Sequence, residues 1–402
     1  MNTDFELLKI MRKDWVEVSR KNGFQDGLKR LLTQLYPDNA HFIYELLQNA
    51  EDTQATKVRF TLSSQGLDFE HNGTRQFSLK DVDSITSIGV SSKLDDHTSI
   101  GKFGVGFKAV FAYTITPEVH SGDFHFRIHD LVVPETNGVT KPILTDSKTL
   151  FIFPFDHSTK PAKIATEEIR RGLHALGDNT LLFLDHIHSI EYQLSQNSLG
   201  FLRRIDHDAD HIEIVAHHPG GNSNSTHWLR YQKNVDVIDE DGKPKSCRIA
   251  IAYSLMEVEN ATNQPTWKIV PLNRGQVSIY FPAAKEKSDL RFHIHAPFAS
   301  TVARDSVRNS PANNQLRDHI AELVIQSIIS IRDQGMLTVD FLAVLPNNSD
   351  QLTPFYQPIR KNIIQAFQKI ALTPTRSGSH APSELLYRKR SINPNLFRIS
   401  FQ

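Results

Sequence analysis

Residues 39–52, NAHFIYELLQNAED, place apolar side chains at Phe42, Ile43, Leu46, Leu47 and Ala50, the spacing of a helix with one buried face. A helix this short is marginal alone in water, so the chain must fold a layer for it to pack on. Pro37 lies just upstream, and Asp38 or Asn39 is available as N-cap. On the same helix Glu45, Asn49 and Asp52 stand at i, i+4 and i+7, which sets a carboxylate, a carboxamide and a second carboxylate in one row. Such a row is a solvated face or faces one ligand. In the second case a carboxylate can orient and deprotonate a water, and the neutral amide oxygen of an Asn suits a Mg²⁺ that keeps most of its waters.

A second segment points to the same ligand chemistry. Residues 100–108 read IGKFGVGFK and run into AVFAY, which has helical spacing. Glycines at 101, 104 and 106 let backbone N–H groups approach phosphate oxygens, and a following helix adds its free N-terminal donors. Lys102 and Lys108 add positive charge beside them. By itself a glycine-rich string of this kind is also what a turn between two elements looks like.

Between these segments, Val58, Phe60 and Leu62 alternate, as do Leu67, Phe69 and His71, with residues 63–66 as a turn. This predicts a hairpin that delivers His71 and Asn72 to a strand end, closed by Gly73. Ser78 and Asp81 have the spacing of a capping box for a short helix up to Ile88, stopped by Gly89. Residues 90–99, VSSKLDDHTS, have no apolar period and predict a mobile loop able to close over a ligand.

The order of parts, a helix with ELLQNAED, two strands ending in HNG, a helix, the SIGVSSK loop and then IGKFGVGFKAVF, resembles the ATP-binding domain of the GHKL superfamily. That superfamily includes DNA gyrase B, the heat-shock chaperone ATPases, histidine kinases and MutL, and these strings look most like its sacsin and heat-shock-chaperone branch. The resemblance implies an N-terminal α/β sandwich of the Bergerat type that binds ATP with Mg²⁺ and hydrolyses it slowly. It implies Glu45 as general base, Asn49 as Mg²⁺ ligand and Asp52 beside them. Gly101, Gly104 and Gly106 would form the phosphate cradle together with Lys102, Phe103, Val105 and Phe107, and Ser92 and Lys93 would belong to the lid. The family's usual DxGxG string, whose Asp accepts the adenine amino proton, is replaced by His71-Asn72-Gly73-Thr74-Arg75. A neutral His nitrogen or the Asn carbonyl could accept that hydrogen bond, so both are candidates.

At 402 residues the chain exceeds one ordinary core, and two α/β domains are expected. Residues 1–190 would form the ATP-binding domain, 191–345 a strand-rich α/β middle domain, and 346–402 a helical, basic tail that could open a further domain. TLFIFPF reads as a strand, PAKIATEEIRRGLHALG as a helix, LLFLDHIHSIEYQL as a strand pair and DEDGKPKS as a hairpin turn. RFHIHAPFASTVARDSVRNS precedes a helix over 315–332 and resembles the middle-domain loop of the chaperones, where an arginine reaches the terminal phosphate. By that comparison Arg304 is the candidate, with Arg308 as the alternative; a guanidinium supplied from a second domain would make turnover depend on closure.

Lys+Arg and Asp+Glu both number 45, so the long-range attraction of a basic protein for nucleic acid is missing. Arg170-Arg171, Arg203-Arg204 and Arg388-Lys389-Arg390 are the local exceptions. One cysteine, Cys247, in an apparent strand, excludes an internal disulfide framework and fits a reducing compartment. There is no signal peptide and no bilayer-spanning run, which predicts a cytoplasmic protein without membrane contact. The expected partners are ATP, a second copy, since closure in this superfamily goes with dimerisation, and a protein client. A nucleic-acid-linked ATPase of the MutL or microrchidia kind and a non-hydrolysing nucleotide-binding scaffold are the competing readings.

Overall fold

A computed structural model of the chain describes residues 3–23, 42–87, 106–140, 142, 148–240, 242–258, 266–301, 305–347 and 349–385. The fold is α/β and divides into two compact units. The first comprises Met1–Ile205 and Glu213–Ser225, the second Asp206–Ile212 and Thr226–Gln402.

In the first unit the hairpin appears as β1 (Lys57–Leu62) and β2 (Gly66–His71), with Val58 opposite His71 and Phe60 opposite Phe69. Strict alternation buries Val58, Phe60 and Leu62 on β1 and Leu67, Phe69 and His71 on β2, so one face of the pair is covered. The remaining strands are β3 (Glu118–Ser121), β4 (Phe124–His129), β5 (Val133–Glu135), β6 (Thr149–Pro154), β7 (Ser189–Ser195) and β8 (Ser198–Asp206). Their order is β8-β7-β1-β2-β6-β3-β4-β5. The β1–β7 pair is parallel and the others are antiparallel, so the sheet is mixed.

Helices α1 (Thr3–Lys21), α2 (Phe42–Asp52), α3 (Leu79–Ile85) and α4 (Ala162–His174) belong to this unit. Phe42 of α2 packs edge-on to Phe153 and beside Tyr113, which seats the helix on the aromatic layer of β6. Each phenylalanine so buried contributes about 1.5–3 kcal/mol of transfer free energy. The capping box that opens α3 is formed by Ser78 and Asp81, as their spacing predicts. Helix α1, which the sequence reading did not identify, is tied down by Phe5 and Leu8 in the core and by Arg12, whose guanidinium meets Asp83 at 2.6 Å.

One expected strand is absent. The run Leu181–Leu184 is fully buried and forms a helical turn, α5 (Asn179–Leu182), followed by loop. An unbroken apolar run buries every side chain and carries no period-2 signal, so strand and helix cannot be told apart from it. Arg204, itself buried, secures the turn by donating to the carbonyls of Leu181 and Leu184.

In the second unit β10 (Ser223–Ile238, from Thr226 onward) pairs with β11 (Pro244–Val258) as the hairpin expected at DEDGKPKS, whose last three residues already belong to β11, and β12 (Thr266–Val270) lies on β11. β13 (Val277–Ile279), β14 (Phe281–Pro282) and β15 (His293–His295) extend the sheet in the order β14-β13-β15-β11-β10. Helix α6 (Pro311–Asp333) starts at the N-cap Ser310 with Pro311 behind it, four residues before the expected Gln315. It buries Ile320, Val324 and Ile328 against Ile251, Tyr253 and Phe292. Helix α7 (Gln357–Lys369), with Tyr356, Ile359, Ile363 and Phe367, joins the same core, so the described part of the 346–402 segment packs in this unit.

Candidate functional site

The helix α2 carries two buried glutamates with separate tasks. Glu51 accepts three backbone hydrogen bonds, from Asp185 N at 2.6 Å, His186 N at 2.9 Å and Ile187 N at 2.9 Å. It thereby clamps the loop that leads into β7. Its role is not legible in the sequence, because a carboxylate consumed by backbone amides looks the same in the string as one that faces a ligand.

Glu45 stands on another side of the helix, 6% exposed, with its carboxylate against the backbone of Gly106. A Cβ built on Gly106 would lie 2.0 Å from Glu45 Oε2 and 2.7 Å from Cδ. Glycine at 106 is therefore a steric requirement of Glu45, and the two sequence segments that read as halves of a pocket touch at this point. Asn49 and Asp52, one and two turns further on, are half-buried. The row thus runs from a buried carboxylate outward to groups that water can reach.

The helix expected after the glycine string is a 3₁₀ helix, Gly106–Ala112. Phe107 is half-buried, its ring 5.8 Å from that of Phe151 and 6.2 Å from that of Phe153. Lys108 does not flank a phosphate. Its ammonium is buried and donates to Ile85 O and Leu131 O, both at 2.6 Å, holding the C-terminal end of α3 to the loop at 131. Burial, with the Arg12 guanidinium nearby, pushes its pKa down to about 7.

At the strand end His71 is 4% exposed and stacks near Phe151, with Phe69 beside it. Burial drives its pKa down to about 4, so the ring is neutral at physiological pH. Its Nδ1 accepts the Gly73 N–H at 3.2 Å. A neutral imidazole with Nδ1 accepting carries its hydrogen on Nε2, so that nitrogen is a donor rather than an acceptor. Asn72 is engaged elsewhere: Oδ1 accepts from Thr56 N at 2.9 Å and Lys57 N at 2.8 Å, and Nδ2 donates to Thr56 Oγ1. Its carbonyl is thus committed to the start of β1. Gly73 admits no side chain, since a Cβ would stand 2.1 Å from Thr53 Oγ1.

Ser92, Lys93, Gly101, Lys102, Phe103, Gly104, Val105 and Arg304 lie outside the described residues. Arg308, the alternative to Arg304, forms an ion pair with Glu240 in the second unit. Of the basic pairs, Arg203 pairs with Glu191 and Arg204 is buried on carbonyls, so neither is a free phosphate-binding group. Cys247 is half-buried and packs against the second unit's core. No helix among the described residues is long and apolar enough to cross a membrane.

The Sacsin domain family matches residues 21–148, which hold Glu45, His71 and Gly106. Sacsin of Homo sapiens is 36% identical over 114 residues, covering 24% of this chain and 2% of its own length. Protein NO VEIN of Arabidopsis thaliana is 24% identical over 337 residues, or 76% of this chain and 12% of that protein. The chain therefore spans only a small part of both relatives. The B-subunit of DNA gyrase from Myxococcus xanthus aligns with a TM-score of 0.42 at 10% identity, over 76% of this chain and 96% of that structure. Residues 21–148 thus match the Sacsin domain family, and the order of motifs that they carry resembles that of the GHKL superfamily.

Proposed function

We propose that the first unit binds ATP with Mg²⁺ and hydrolyses it slowly, as a sacsin-like or chaperone-like conformational ATPase. The observation that supports this reading is the seating of the Glu45 carboxylate on the α-carbon of Gly106, the last glycine of the 101–106 string. The residues present fit the ligand. Gly106 leaves the Glu45 carboxylate the space that any side chain would take, and α2 supplies hard oxygen donors at Asn49 and Asp52. Asn49 would hold the Mg²⁺, and His71 and Gly73 would meet the base at the end of β2. Bound ATP supplies the phosphoanhydride bond, and Mg²⁺ offsets the charge on its oxygens.

In this reading Glu45 accepts a hydrogen bond from a water, orients it and takes its proton. Its burial excludes bulk water from the proton's path. A lid at 90–99 and a phosphate contact from Arg304 are parts of this reading that rest on the resemblance alone, since both lie outside the described residues. ATP then acts as a switch for a second copy or a protein client in the cytosol.

A non-hydrolysing scaffold is the second reading, favoured by the donor at His71 in place of the aspartate. The internal engagement of Arg203 and Arg204 counts against the nucleic-acid-linked alternative. The variant Glu45→Gln separates the first two. It should keep ATP affinity and lose about a hundredfold or more in turnover; turnover at the wild-type rate would remove Glu45 from the chemistry. Wild-type binding without turnover would favour the scaffold.

A further inference from the structure

The second unit holds three histidines whose ring nitrogens converge. His207 sits in the turn between β8 and β9 (His211–His217), His211 opens β9, and His227 lies on β10. One ligand nitrogen from each lies within 4.8 Å of the others. His211 Nε2 and His227 Nδ1 are 3.0 Å apart. We infer that His207, His211 and His227 form a binding site for one divalent transition-metal ion, with a water in the remaining position.

The spacing fits this chemistry. Zinc–imidazole bonds of about 2.0–2.1 Å in a tetrahedral arrangement set ligand nitrogens about 3.3 Å apart. The His211–His227 pair already has nearly that separation, and the third nitrogen needs to move about 1.5 Å or less. His207 can supply that movement because it is exposed on a turn, while the other two rings are half-buried. Neutral imidazoles suit Zn²⁺, Cu²⁺ and Ni²⁺ rather than Mg²⁺ or Ca²⁺, which prefer oxygen, so this ion is distinct from one held by Asn49.

The surroundings hold the rings in place. Trp267 of β12 lies 4.2 Å from the His227 ring and meets the His211 ring edge-on at 4.9 Å. The turn is fixed by His207 N donating to His211 O at 2.9 Å, and Arg230 N on β10 donates to Asp210 O at 2.7 Å. Asp208 Oδ1 serves the turn, accepting from Asp210 N and His211 N at 2.9 and 2.7 Å, and the converging donor set is the three histidine nitrogens. A bound ion would cross-link the β8–β9 turn to β10.

The test is titration of the metal-stripped full chain with Co²⁺, read by visible absorption, and with Zn²⁺, read by calorimetry. One ion per chain is expected, with the Co²⁺ bands of a four-coordinate nitrogen site. His227→Ala should abolish them. His207→Ala, at an exposed position, should weaken affinity at least tenfold, and His120→Ala in the first unit should change nothing. Absence of one-to-one binding in the wild type, or unchanged affinity in a folded His207→Ala or His227→Ala protein, would overturn the site.

Discussion

The carboxylate of Glu45 and the α-carbon of Gly106 occupy adjoining space so closely that a single methyl group on Gly106 would stand 2.0 Å from Oε2. One residue comes from the helix with the polar row and the other from the end of the glycine string. Their contact joins two segments that sequence alone can only set side by side.

Substituting Gly106→Ala tests this contact without touching Glu45. The clashing atoms are the far end of a flexible side chain, so the methyl group displaces the carboxylate rather than the backbone. Stability should fall by about 1 kcal/mol, while ATP turnover should fall as it does in Glu45→Gln. A fully active Gly106→Ala protein would show that the carboxylate's position is immaterial.

Glu51 offers the opposite expectation. With Glu51→Gln one oxygen acceptor is exchanged for an amide donor that faces backbone N–H groups, at a cost of about 3 kcal/mol to the first unit. Denaturant unfolding of the first unit should show the loss, and any nucleotide affinity measured well below the new midpoint should be preserved. A change under about 0.5 kcal/mol would mean that the clamp is dispensable.

His71 makes a pH prediction. Its pKa is about 4 in the folded chain against 6.5 as the ordinary value, so between these values the unfolded chain binds the proton more readily. Stability therefore rises with pH from about 4 to 6.5, is fully present above that, and is lost as the solution is acidified, by about 3 kcal/mol in total. In His71→Asn that increment should vanish from the pH–stability curve. Identical curves for the two proteins would mean that the ring is not held neutral by burial.

The sequence disclosed those parts of the fold with a clean period or a local signature. The β1–β2 hairpin follows from alternation at 58–62 and 67–71, and α3 from the Ser78–Asp81 box. It failed where the signal is tertiary. Leu181–Leu184 carries no period, and the assignment of Glu51, Lys108 and Arg204 to backbone carbonyls and amides depends on partners far along the chain. Lys108 seemed to extend the positive charge of the glycine string because a string cannot show which way a side chain turns. The three-histidine cluster was missed because His207 and His211, although four residues apart, flank a turn rather than share a helix, and His227 comes from a separate strand.

Calorimetric titration of ATP, with and without Mg²⁺, into wild type and Asn49→Ala tests the proposed nucleotide site on α2 most directly. Binding to the wild type that requires Mg²⁺ and is lost in Asn49→Ala is the predicted result. Failure of the wild type to bind ATP, or equal Mg²⁺-dependent affinity in the two proteins, would contradict it.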